Sequence, residues 1–241
     1  MIEYTDTTVF NVNAQTMVNT INCMGVMGAG LALEFRLRFP EMYEDYLIRC
    51  ERGEVKIGRP YLYRDYDIPW IMNFPTKYHW KRPSKIEWIE QGLRYFVSNY
   101  ERGGIVSIAF PKLGSNRGGL DWKEVKPLME RYLKRVHIQV YICLDREHEA
   151  SGIEGIMVGM INNLQDQRWI SDLKIRRKIA AKIVEAMPIS RFYELREVEG
   201  VGEKSYEKVF KFFYAKTQAS VIPRQSTSVE AEAEQLELIS N

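Results

Sequence analysis

At 241 residues the chain has room for one large domain, or for a medium domain followed by a small one. Its 45% hydrophobic, 12% aromatic and 27% charged residues are those of a globular protein, which excludes a largely disordered or fibrous polypeptide. The net charge of +2 is too small to argue by itself for a nucleic-acid partner, and no apolar run approaches the ~20 residues of a membrane span.

Taken in order, residues 1–4 and 15–20 read as strands, the second short and buried. Apolar residues at helical spacing predict a helix over Leu31–Phe39, which Pro40 stops. The same proline opens a second helix that Gly53 ends. Tyr61–Tyr63 and Trp70–Asn73 read as paired strands around the polar turn Arg64–Asp67. A long amphipathic helix opens at Pro83-Ser84 and runs to about Asn99. Ile105–Phe110 is a buried strand after the Gly103-Gly104 break, Trp122–Arg135 a helix with Asp121 as N-cap, and Ile138–Leu144 a closing strand. Strands alternating with helices predict a layered α/β domain over residues 1–146.

Residues 147–218 read as helices without a strand. Asp166–Met187 is expected to be one amphipathic helix, carrying the basic run Lys174–Lys178 and stopped by Pro188. Residues 219–241 are polar and acidic and read as a disordered tail. Cys23, Cys50 and Cys143 are widely spaced, with no CxxC pair, and read as reduced thiols. With no signal-peptide pattern at the N-terminus, the expectation is a cytoplasmic protein without a membrane partner.

Two glycine-rich stretches carry the functional signal. One is Val18-Asn-Thr-Ile-Asn-Cys-Met-Gly-Val-Met-Gly-Ala-Gly-Leu31, the other Gly114-Ser-Asn-Arg-Gly-Gly-Leu120. Each follows a strand and leads towards a helix, a turn that aims free amides at a bound phosphate. Either alone is equally an ordinary strand–helix turn; together they suggest a diphosphate gripped from both sides.

Val18-Asn-Thr-Ile-Asn22, Gly25-Val-Met-Gly-Ala-Gly30, Asn73-Phe-Pro-Thr-Lys-Tyr-His-Trp80 and Pro111-Lys-Leu-Gly-Ser-Asn-Arg-Gly-Gly-Leu-Asp-Trp122 follow one another in an order that resembles a macrodomain. The match is most similar to the DNA ADP-ribosyl glycohydrolase branch, the DarG antitoxins that oppose DarT toxins, and covers residues 1–146. The resemblance implies a three-layer α/β/α fold with a mixed sheet, followed here by a small all-α domain. It implies ADP-ribose in a crevice at the strand ends, and no metal or redox cofactor. ADP-ribosylated DNA and a cognate DarT-like toxin are the partners it implies.

Residue by residue, the resemblance gives Lys77 the catalytic place. It puts Asn22 at the distal ribose and Gly25, Val26, Met27, Gly28, Ala29, Gly30 and Leu31 at the diphosphate. Gly114, Ser115, Asn116, Arg117, Gly118, Gly119 and Leu120 form the second phosphate loop. Thr8, Asn19 and Thr76 complete the expected ADP-ribose contacts. Thr8 stands where many macrodomains carry the Asp or Asn that reads adenine, with Asp6 two residues away. Gly118 stands where a related lysine-using glycohydrolase has aspartate; the antitoxin branch also has glycine there, and Asp121 lies three residues later.

A strand-end lysine with a lowered pKa offers a free amine to the anomeric carbon of the distal ribose. The alternative is a solvated surface lysine. His79 and Trp80 read either as a cover for the site or as packing. Three histidines without ligand spacing give no metal site. Finally, Leu195–Val209 resembles a helix–hairpin–helix, whose Gly200-Val-Gly202 turn would meet a nucleic-acid phosphate with Lys204 and Lys208 adding charge; a plain helical turn is the other reading. The functional choices are hydrolysis of ADP-ribose from a modified DNA base, non-catalytic reading of ADP-ribose or binding of a toxin, and hydrolysis of ADP-ribose 1″-phosphate.

Overall fold

The computed structural model describes residues 1–65 and 68–221. Tyr66 and Asp67 of the expected polar turn, and residues 222–241 of the expected tail, lie outside the described residues. The chain divides into two compact units, Met1–Gly152 and a second beginning at Ile153.

The first unit runs β1 (Ile2–Thr5), β2 (Thr16–Asn22), α1 (Gly30–Arg38), α2 (Pro40–Glu51), β3 (Tyr61–Tyr63), β4 (Trp70–Lys77), α3 (Ile86–Asn99), β5 (Ser107–Pro111), α4 (Trp122–Leu133) and β6 (Gln139–Cys143). One sheet holds all six strands in the order β1-β6-β5-β2-β4-β3. Every neighbouring pair is parallel except β3 with β4, so the sheet is mixed.

Strand alternation builds the layers. Val18, Met72, Phe74, Ile108 and Ile142 face α3 and α4, where they pack with Ile89, Leu93, Phe96, Val125 and Met129. Their neighbours Met17, Ile71, Ala109 and Cys143 face the other way, onto Phe35 of α1 and Met42 and Tyr46 of α2. Both faces of a parallel sheet are thereby covered, as a three-layer α/β/α architecture requires. Most residues behind the strand tips are apolar on either side, with Thr16, Asn19 and Asn73 the buried polar ones in β2 and β4.

β4 runs four residues beyond the predicted strand end, through Phe74-Pro-Thr-Lys77. Pro75 is tolerated because β3 pairs only as far as Asn73, leaving one side of β4 without a ladder. α3 starts at Ile86, with Pro83 and Ser84 outside it.

The second unit contains α5 (which starts at Gly152 and runs to Asn162), α6 (Asp166–Ser171), α7 (Arg177–Glu185), a 3-10 turn (Phe192–Arg196) and α8 (Glu203–Val221). The single helix expected over Asp166–Met187 is therefore two. Trp169, Leu173 and Ile175 are all buried, and the two-residue step from Leu173 to Ile175 does not fit one face of a continuous helix. The chain breaks there, with Lys174 at a positive φ of 49°. α8 extends to Val221, three residues past the expected end of order. A buried ion pair stands in this unit: Arg191 Nε lies 3.1 Å from Glu154 Oε1, which also accepts from the Phe192 amide at 2.9 Å. No helix among the described residues is long and apolar enough to cross a membrane.

Candidate functional site

The tips of β2, β4 and β5 meet two loops. The first, Cys23–Ala29, leaves β2 and enters α1. Gly25 sits at φ +78° and Gly30, the first residue of α1, at φ +55°, a region that strains any side chain. α1 has no side-chain N-cap and no acid in its first turn, so its N-terminal dipole faces the loop without a carboxylate of its own.

Asn22 shapes that loop. Its Oδ1 accepts from the Met24 amide at 2.9 Å and the Val26 amide at 3.4 Å, and its Nδ2 donates to Val26 O at 2.5 Å. From beneath, the buried Tyr46 hydroxyl donates to Asn22 O at 2.8 Å and to Oδ1 at 3.2 Å. The asparagine expected at a ribose is thus largely engaged in folding the loop, and Tyr46 is a supporting residue that the sequence analysis missed. Its only signal was the apolar spacing of Met42 and Tyr46 on α2.

The second loop follows β5. Gly114 and Gly119 take φ +63° and +79°. The Leu120 amide closes onto Gly114 O at 3.0 Å, and the Gly118 amide onto Ser115 O at 2.6 Å. Gly118 has no space for a side chain: a Cβ there would lie 2.7 Å from Ser84 Oγ. The Ser84 amide in turn donates to Gly118 O at 2.9 Å. Ser84 is the second residue the sequence reading overlooked, since nothing but its place ahead of a helix distinguishes it. The hydroxyls of Ser84, Ser115 and Thr8 are buried without a protein hydrogen-bond partner.

Lys77 joins the loops. Along β2 and β4 the register runs Thr20↔Phe74 and Ile21↔Pro75, then Asn22↔Lys77. Thr76 is therefore a bulged extra residue, its hydroxyl donating to Ile21 O at 3.4 Å. The bulge changes which face Lys77 takes. By strict alternation it would share the side of Ile71 and Asn73; in place of Thr76 it takes the side of Met72 and Phe74, where Ser84 and Gly118 stand. Its ammonium donates to Arg117 O in the second loop, and to Trp80 O at 3.4 Å. Gly30, where the first loop enters α1, is the neighbour of the same arginine, with Arg117 Cγ 3.6 Å from where its Cβ would be. The amine thus lies where the two loops approach each other, away from bulk solvent's full reach.

Partial burial lowers the Lys77 pKa below the ordinary lysine value, and the Arg117 charge lowers it further. The loop's own thiol goes the other way: burial pushes Cys23 up to about 11, so it stays protonated at neutral pH. Burial thus favours the uncharged form of both groups, the free amine at Lys77 and the thiol at Cys23.

Other expected contacts fare differently. Asn19 is fully buried and its Nδ2 donates to Asn73 Oδ1 at 2.9 Å, so it offers no surface to a ligand. Met27 sends its side chain into the α1/α2 core, leaving only backbone at the loop. In the second unit the Gly200-Val-Gly202 turn exists, with Gly200 at φ +91°, but a five-residue 3-10 turn stands in for the expected first helix. Glu199 and Glu203 flank that turn, and Glu199 pairs with Lys182 at 2.5 Å.

A macro-domain family model matches residues 18–129. A DNA ADP-ribosyl glycohydrolase of Thermus aquaticus is 42% identical over 132 residues, which are 53% of this chain and 37% of the relative. A DNA ADP-ribosyl transferase–DNA ADP-ribosyl glycohydrolase fusion protein of Thermosipho africanus is 39% identical over 158 residues, 58% of this chain and 41% of the relative. The chain thus matches well under half the length of these curated relatives. Among solved structures, the macrodomain of Thermus aquaticus DarG superposes with a TM-score of 0.57 at 38% identity, covering 60% of this chain and 98% of that one.

Proposed function

The chain belongs to the macrodomain family, and from that premise we propose that it is an ADP-ribosyl glycohydrolase that removes ADP-ribose from a modified DNA base. The observation that carries the proposal is the position of the Lys77 amine. It stands between the two glycine loops, opposite Asn22, with its hydrogens given to Arg117 O and Trp80 O. Loss of the third N–H proton, which the lowered pKa favours, leaves a lone pair for an electrophile while the other two hydrogens stay on the fixed carbonyls.

In this reading the diphosphate lies across the α1 N-terminus and the backbone of Gly114–Leu120, which brings C1″ of the distal ribose to Lys77. The unprotonated amine attacks C1″ and forms an N–C bond. The bond from C1″ to the DNA base breaks, and its electron pair leaves with the base, which takes up a proton. Water then replaces the lysine at C1″, releasing ADP-ribose and regenerating the amine. Positive charge builds on the sugar ring as the base departs, as in other glycosidic cleavages. The buried hydroxyl of Ser115 suits a polar contact beside the second loop.

By analogy with the fused Thermosipho relative, the partner is a DNA ADP-ribosyltransferase whose product this protein removes. The three free cysteines suit a reducing compartment, and we place the protein in the cytoplasm.

The test compares wild type and Lys77→Ala on ADP-ribosylated single-stranded DNA, with ADP-ribose affinity measured by calorimetry in parallel. Loss of cleavage with binding retained supports the proposal. Cleavage that survives in Lys77→Ala overturns the lysine mechanism. Binding without turnover in the wild type indicates a reader, and phosphate release from ADP-ribose 1″-phosphate alone indicates the phosphatase reaction.

A further inference from the structure

The segment that follows Lys77 is the least explained part of the surface near the cleft. Tyr78 is 60% exposed and Trp80 45% exposed, although both are large aromatics with a core beneath them in which to hide. They are not on a flexible insertion: the Cys23 amide donates to Tyr78 O at 3.1 Å, and the Arg82 amide to His79 O at 3.0 Å. The Trp80 ring lies nearly parallel to that of His79, at 15° and 6.0 Å between centroids. Lys81 Nζ stands 4.9 Å from the same ring. Across the cleft, Met24 of the first loop is 48% exposed.

Charge is as one-sided as the hydrophobicity. Between Ile68 and Ile86 there is no Asp or Glu, while Lys77, Lys81, Arg82 and Lys85 fall within nine residues. Arg117, also exposed, adds a fifth cation from the second loop. The net charge of the whole chain hides this local excess.

We propose that Tyr78–Lys85 is a binding platform for single-stranded nucleic acid, on which the nucleotides flanking the modified base stack while their phosphates meet Lys81, Arg82 and Lys85. Exposed aromatic faces interleaved with cations are what an unpaired strand requires. Bases in a duplex are already stacked on each other and present no face to Trp80 or Tyr78. The platform begins at the residue after Lys77, so a strand held on it delivers its modified nucleotide to the amine. The inference rests on the proposed removal of ADP-ribose from DNA, and supplies the residues that hold the strand.

The test uses the full chain and an unmodified fluorescein-labelled 12-nucleotide thymidine strand, alone or annealed to its complement, with anisotropy read from 50 to 200 mM salt. The expected result is binding to the single strand in preference to the duplex. Trp80→Ala weakens strand binding roughly five- to hundredfold, the range for one lost base stack. Trp80→Phe, which keeps an aromatic face, restores most of it. Lys81→Gln with Arg82→Gln flattens the slope of log affinity against log salt by about 1.4, from about 0.7 per charge on a single strand. Equal affinity for duplex and single strand, no measurable binding at 50 mM salt, or a Trp80→Ala variant that binds as wild type does would overturn the proposal. These readouts involve no ADP-ribose, so a chain that holds the strand but neither binds nor cleaves ADP-ribose leaves the platform standing and removes the glycohydrolase reading.

Discussion

Gly92 sits on α3 directly over the ring of Phe74, and replacing it with alanine tests how tightly the β4 tip is held. A Cβ at residue 92 would lie 2.2 Å from Phe74 Cζ, 2.5 Å from Cε1 and 3.1 Å from Cε2. Ordinary carbon contacts need about 3.5–4.0 Å, so ring and helix must part by more than an ångström. Phe74 has no exposed surface and packs among Ile89, Leu93 and Phe96, so the ring has nowhere to rotate. Overpacking of this kind destabilises by about 1–3 kcal/mol. Alanine regains up to about 1 kcal/mol of helix propensity relative to glycine. The net expectation for Gly92→Ala is a loss of about 1–2 kcal/mol, which for a unit of this size lowers Tm by about 2–8 °C. Urea and thermal unfolding, followed by circular dichroism, measure it. Adding Phe74→Leu, which trims the ring, should recover most of the loss. A Gly92→Ala variant as stable as the wild type, or more stable, would refute the packing argument.

The remaining expectations concern the cleft and the helical unit. Arg117→Gln removes a charge that disfavours protonation of Lys77, so the Lys77 pKa rises towards the ordinary lysine value. Less free amine is then present at neutral pH, and the acid limb of the pH–rate profile moves to higher pH; an unmoved or acid-shifted limb contradicts the assignment. Gly118→Ala drives a Cβ to 2.7 Å from Ser84 Oγ and should weaken ADP-ribose binding measured by calorimetry, while adding Ser84→Gly restores it. In the second unit, Glu154→Ala takes away the carboxylate that Arg191 and the Phe192 amide share. Removing one partner of a buried pair costs about 3–5 kcal/mol, so this variant should unfold at markedly lower urea than Glu154→Gln, which keeps an acceptor for the Phe192 amide.

The layered α/β unit was legible because its strands announce themselves as apolar runs, and glycine marks both loops at the strand tips. Lys77 was singled out in the sequence only through the company of Asn73-Phe-Pro-Thr. By alternation alone it belongs to the opposite face of the sheet, and no pattern in the sequence signals the bulge that moves it. Tyr46 and Ser84 were invisible for a different reason. Each acts through contacts between segments distant in sequence, Tyr46 with Asn22 and Ser84 with Gly118. The break in the Asp166–Met187 helix is present in the Leu173-Lys-Ile175 spacing, which a single amphipathic helix does not accommodate. Asn19, expected among the ADP-ribose contacts from the resemblance alone, is buried and pairs with Asn73 across two central strands.

The bulged residue at the end of β4 has a consequence for how this cleft tolerates a change in backbone path. Thr76 sets the parity of the strand tip: drawn into the ladder opposite Asn22, it would restore strict alternation and swing the amine to the layer of α1 and α2, while every apolar position behind it stayed in place. Such a flattened strand would keep its hydrophobic interior and still lose its chemistry. Excising Thr76 would not do this, because the lysine would then follow Pro75 and take the place opposite Asn22 that it holds now. Between Phe74 and Lys77 the offset in pairing is itself part of the machinery.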